Sequence, residues 1–129
     1  MNILVFNCGS SSLKYRLIRM PDETELAGGE AQHVGPPTVE PACIVHHVNG
    51  TVQTRSVDMP DHATAFQRVM ELLAEDAHST PDAVGHRLVH GGSHFNQYAI
   101  INTRTIEQLQ SLESLAPLHN PPAIALIRA

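Results

Sequence analysis

At 129 residues the chain has room for one domain of ordinary size, or one lobe of something larger, and a 42% apolar content is enough for a packed core. Eight basic side chains against thirteen acidic ones give a net charge of −5, and no basic cluster offers a footprint for nucleic acid or anionic lipid, which excludes both as expected partners. Met1 to Phe6 has no basic leader and runs into Asn7 too soon for a signal peptide or a membrane span; Cys8 and Cys43 lack CxxC or zinc spacing and fit a reducing compartment, so a cytoplasmic protein is expected.

Ile3 to Phe6 is a short β-rich run that ends in Asn7-Cys8-Gly9-Ser10, and Leu13 to Ile18 alternates before Pro21-Asp22. Together they predict two strands around a tight turn. Ile44 to Val48 and Thr51 to Val57 flank Asn49-Gly50, a strong hairpin signal, while the stretch between the two hairpins, with Gly35-Pro36-Pro37, reads as loop. Asp61 is placed to cap a helix with Phe66, Val69, Met70 and Leu73 on one face, fading near Ser79-Thr80-Pro81. Ala83 to Val89 is a strand. Asn102 or Thr103 then caps a helix with Ile106, Leu109, Leu112 and Leu115 inward, and Pro121-Pro122 opens another. Ile124, Leu126 and Ile127 are apolar and no glycine or polar cap follows them; the natural product is expected to continue, and the chain alone to expose apolar surface there. Strands first, then helix, strand, helix, predicts an α/β domain with a mixed β-sheet and flanking helices.

Three segments have the makings of chemistry. In Asn7-Cys8-Gly9-Ser10-Ser11-Ser12-Leu13-Lys14 the second glycine of a Walker A loop is missing, and the continuation alternates like a strand instead of opening a helix. If the chain is extended after the turn, Ser10, Ser12 and Lys14 project to one face with Asn7 close by. Such a set suits phosphate oxygens or hydrated Mg²⁺; a serine-rich turn with an exposed lysine would present the same residues. In Gly85-His86-Arg87-Leu88-Val89-His90-Gly91-Gly92, Arg87 and Val89 share one strand face, with His86, Leu88 and His90 on the other. An arginine in an apolar strand calls for an anion, either a carboxylate side chain or a substrate. His86, His90 and His94 have the four-residue spacing of helical metal ligands, but Gly91-Gly92 breaks a helix there. In Leu115-Ala116-Pro117-Leu118-His119-Asn120-Pro121-Pro122, a histidine held between prolines ahead of a helix could donate to a phosphoryl oxygen, or simply cap or pack.

In this order the three segments resemble acetate kinases, through Asn-x-Gly-Ser-Ser-Ser-Leu-Lys, Gly-His-Arg-x-Val-His-Gly-Gly and Leu-Ala-Pro-Leu-His-Asn-Pro-Pro. The resemblance spans residues 2 to 129, is weak from about Pro21 to Pro60, and covers about the first third of a typical member. It implies a partial first lobe of the actin, Hsp70 and sugar kinase (ribonuclease-H-like) fold over residues 1–129, on the substrate and phosphate side of a cleft, with the nucleotide-binding lobe absent. It further implies that Ser10, Ser12 and Lys14 bind phosphate or nucleotide, that Asn7 lies at the Mg²⁺ end, and that Arg87 holds the acyl carboxylate or phosphate. By the same resemblance Val89 and Leu118 wall the substrate methyl group and His119 sits near the transferred phosphoryl, which makes Arg87 and His119 the catalytic candidates. The implied reaction is reversible in-line transfer between ATP with acetate and ADP with acetyl phosphate, aided by Mg²⁺, in a full-length homodimer. Cys8 departs from an alanine common in the family and is expected to point away from the serine and lysine face. Two other expectations compete: a non-catalytic phosphate-binding or scaffold module, and a kinase of another short carboxylate such as propionate. Catalysis by the 129 residues alone is not expected.

Overall fold

A computed structural model describes residues 1–76, 79–87, 99–111 and 120–128. Strands β1 (Asn2–Cys8), β2 (Ser12–Arg19), β3 (Thr24–Gln32), β4 (Cys43–Val48) and β5 (Thr51–Ser56) run antiparallel in sequence order, and β6 (Ala83–Arg87) joins parallel to β1. The sheet order is β5-β4-β3-β2-β1-β6, a mixed sheet as expected. Helices α1 (His62–Ala74), α2 (Thr103–Gln110) and α3 (Asn120–Arg128) complete the described elements.

Alternation decides the two faces. Leu4, Phe6 and Cys8 of β1 stand opposite Leu17, Tyr15 and Leu13 of β2, and all six are buried. The same face continues through Ala27 and Ala31 of β3 and Ile44 of β4. Ala65, Val69, Leu72 and Leu73 of α1, with Ala123 and Leu126 of α3, close over it to make one core. Each fully buried leucine of this kind contributes roughly 1.5–3 kcal/mol. The opposite face is left open over much of its area, with Val5, Lys14 and Arg16 exposed on it.

Asn49 and Gly50 both take positive φ, 51° and 74°, the twist a two-residue hairpin requires. Asp61 caps α1 by accepting from Thr64 N at 2.7 Å, and Asn102 with Thr105 forms a capping box on α2. Two expectations are corrected. The stretch between the hairpins contains β3, a central strand without a single β-branched residue inside it after Thr24. The apolar end is also not exposed within the described residues: Ala123, Ile124 and Leu126 of α3 are buried. Leu88 and Val89 of the expected strand, and Leu112 and Leu115 of the expected helix, lie outside the described residues.

Candidate functional site

The turn between β1 and β2 is closed by Gly9 N donating to Ser12 O at 2.9 Å. A Cβ on Gly9 would fall 2.5 Å from Ser12 Oγ, so only glycine leaves that hydroxyl its place. The turn is held from two other elements. Val34 N, just past β3, donates to Ser11 O at 2.9 Å, and His62 Nε2, at the start of α1, lies 2.8 Å from Gly9 O. A carbonyl only accepts, so the histidine donates. His62 was not singled out from sequence. Its signal was its place directly after the cap Asp61, on the inward stripe with Ala65 and Val69.

Register places a polar row across the open face. Arg87 of β6 is beside Asn7 of β1, Asn7 beside Lys14 of β2, and Lys14 beside Glu30 of β3. Ser12 shares the Lys14 face, two residues earlier in β2. Adjacent strands are about 4.8 Å apart, so the Arg87 and Lys14 backbones flank Asn7 at roughly 10 Å from one another. Ser10 differs from expectation in one respect. It is exposed in the turn itself, ahead of the first strand residue Ser12, so strand alternation does not set its direction.

Arg16, Arg19, Arg55 and Arg68 each pair with a carboxylate. Lys14 and Arg87 make no such pair among the described residues. Glu25 is engaged by Arg16 at 2.8 Å and by His47 at 2.7 Å, and these contacts, His47 first, hold its carboxyl below the usual range. Among the described residues, the cations beside Asn7 are therefore uncommitted, while the nearby Arg16 is already neutralised. Arg87 is exposed at the end of an edge strand, so burial is not what demands an anion for it. Beside Lys14 the face dips into an open depression of about 370 Å³, lined also by Glu30, Gln32 and Val45.

His86 lies on the helical face. Its ring stacks on Phe6 at 5.8 Å, and burial lowers its pKa. It does not join the polar row. Cys8 is buried on the same side, its thiol pushed up to about 12 by burial, and it points away from Lys14 as expected. No group of three or more His, Cys, Asp or Glu among the described residues could hold a metal ion. Asn7, Ser10 and Ser12 offer only neutral oxygens, which fit a Mg²⁺ that brings its own waters and nucleotide phosphates rather than one held by protein alone. Val89, Leu118 and His119 lie outside the described residues. So do His90 and His94.

A family model for the acetokinase family matches residues 2–129. The chain belongs to the acetokinase family. An acetate kinase from Clostridium kluyveri is 43% identical over 135 aligned residues, taking in all of this chain and 33% of that protein. The crystal structure of Porphyromonas gingivalis acetate kinase matches with a TM-score of 0.87 and 36% identity over 98% of this chain and 33% of the other. A propionate kinase from Francisella tularensis matches with a TM-score of 0.87 and 33% identity over 98% of this chain and 32% of that one. The chain thus spans about a third of the length of the curated relatives it matches. The six-stranded mixed sheet with its helices is the α/β arrangement expected of a partial first lobe in this actin-like family. No helix among the described residues is long and apolar enough to cross a membrane.

Proposed function

We propose that this chain supplies the acyl and phosphate side of an acetate-kinase-type phosphotransferase, which interconverts ATP and acetate with ADP and acetyl phosphate. The observation that carries it is the row Arg87, Asn7, Lys14 on one open sheet face, beside the Ser10 to Ser12 turn, in a member of the acetokinase family. Transfer of this kind depends mainly on positioning and charge neutralisation around a trigonal phosphoryl group. Arg87 offers a planar fork to the acyl carboxylate or phosphate, and Lys14 and the Ser10 and Ser12 hydroxyls contact phosphate oxygens. Asn7 would face a Mg²⁺ that, when bound with nucleotide, neutralises charge between the phosphates. Val89 and Leu118 are assigned to the methyl wall, and His119 to donation toward the transferred group. Residues 1–129 act as part of the first lobe, in a cytoplasmic enzyme that functions as a homodimer.

The nucleotide lobe is assigned to the two thirds of family length that these residues do not span, so the 129-residue chain by itself is expected to show no turnover. A coupled assay with MgATP tests both statements: the chain extended by a family member's remaining length should convert acetate to acetyl phosphate, and the chain alone should not. Absence of transfer by the extended protein overturns the function. The propionate kinase match supports a second substrate assignment, which kcat/KM for propionate against acetate decides.

A further inference from the structure

His62 carries chemistry that the family motifs leave unused. Its side chain is nearly buried, 8% exposed, at the first turn of α1, and its Nε2 reaches Gly9 O at 2.8 Å across 53 residues of sequence. The only other contact to that carbonyl among the described residues is the weak one from the Cys8 thiol at 3.7 Å. A peptide unit is planar and trans, so its C=O and the following N–H point in opposite directions. Because α1 covers the core side of the sheet, a Gly9 carbonyl drawn toward His62 turns the Ser10 N–H the other way, away from the core.

We infer that His62 is a positioning residue: by holding the Gly9–Ser10 peptide in one orientation, it presents the Ser10 N–H, with the Ser10 and Ser12 hydroxyls, to a phosphoryl oxygen. The inference rests on the proposed function for its ligand, but not for its geometry. Glycine at position 9 makes the anchor necessary, since that backbone has the most freedom to flip of any in the turn. Val34 holds only the Ser11 carbonyl and Gly9 N only closes the turn onto Ser12, so neither fixes the peptide in question.

Gln and Met separate the roles of His62, because they have nearly the same length and only Gln can donate. In the ¹⁵N-labelled chain, the residual dipolar coupling of the Ser10 N–H reads the orientation of that peptide directly. His62→Gln should keep the wild-type coupling. His62→Met and His62→Phe should average it toward zero at nearly unchanged melting temperature. In the extended protein the same apolar variants should raise KM for acetyl phosphate and lower kcat/KM about tenfold, as expected for losing one hydrogen-bonded contact, with Gln restoring most of it. A wild-type coupling in His62→Met, or equal loss in Gln and Met, overturns the inference. So does a pair of apolar variants that fail to fold while Gln folds, which would make His62 a stability element. If the extended wild type transfers no phosphoryl group, the proposed function fails, and the dipolar couplings still decide the geometry.

Discussion

Tyr15 and His46 put a polar pair into a largely apolar core: the phenol oxygen lies 2.5 Å from His46 Nδ1 and the two rings stack, with both side chains almost fully buried. Burial raises the Tyr15 pKa and, as the largest cause, lowers that of His46, with the charge of His47 adding to the effect. Both groups are therefore neutral, and the hydroxyl donates to the unprotonated Nδ1. Tyr15→Phe would leave that nitrogen buried without a donor, at a cost of about 1–3 kcal/mol by thermal or urea melts. Gly29 lies opposite His46 and beside Tyr15, and an added Cβ would first meet the Val45 carbonyl oxygen, then Tyr15 Oη at 2.7 Å and Cζ at 2.9 Å. The ring is held by its hydrogen bond and cannot yield cheaply. Gly29→Ala should thus destabilise by about 1–3 kcal/mol, in the range of overpacking, although alanine suits a strand better than glycine does. An unchanged melt in Gly29→Ala would contradict this packing. His46 and His86 also set a pH dependence. Their folded pKa values are lowered, while an unfolded histidine titrates near 6.5, so the unfolded state binds protons first as pH falls. Stability should be complete above about pH 6.5 and decline below it. The carboxylates held low, such as Asp22 at about 2 beside Arg19, lose their contribution only at more acid pH. Melts across this range in wild type and in His86→Asn should show a shallower decline in the variant.

At the scale of elements, local chemistry was legible where one short signal decided the outcome. Asn49-Gly50 specified its hairpin and Asp61 its cap without tertiary help, and the start of α2 was narrowed to Asn102 or Thr103, of which Asn102 is the cap. Asp61→Ala should lower stability by about 1 kcal/mol, read as a loss in thermal midpoint, while Asp61→Asn should recover most of it. Period-two alternation put Ser12 and Lys14 on one side of β2 with Asn7 close by, and Arg87 on one side of β6; that Arg87 stands beside Asn7 comes from the pairing of β6 with β1, which no local pattern gives. β3 was not legible. Thr24–Gln32 is rich in Ala, Gly and Glu, and it is a strand because β2 and β4 pair with both its edges and Tyr15 needs the space above Gly29. Those are contacts between distant segments, and no local pattern encodes them. His62 was missed for a related reason: on its own stripe it reads as a core histidine, and only the fold brings Gly9 to it.

For the whole molecule, resemblance and geometry meet at Arg87. Spacing alone left its partner open between a carboxylate side chain and a substrate. The structure removes burial as the cause and leaves an exposed guanidinium with no carboxylate partner among the described residues, in register with Asn7, which itself stands beside Lys14. Its charge is thereby available to an arriving anion instead of being spent on the fold. The most direct test is steady-state kinetics of Arg87→Ala and Arg87→Lys in the extended protein, with thermal melts alongside. Removing a charge-assisted contact that strengthens in the transition state should cost about 3 kcal/mol, on the order of a hundredfold in kcat/KM with kcat itself reduced. The melting temperature should be unchanged, and Lys should recover little because an ammonium cannot reproduce the planar fork. Near-normal turnover in Arg87→Ala, with a much lower melting temperature, would contradict the account and make the arginine structural.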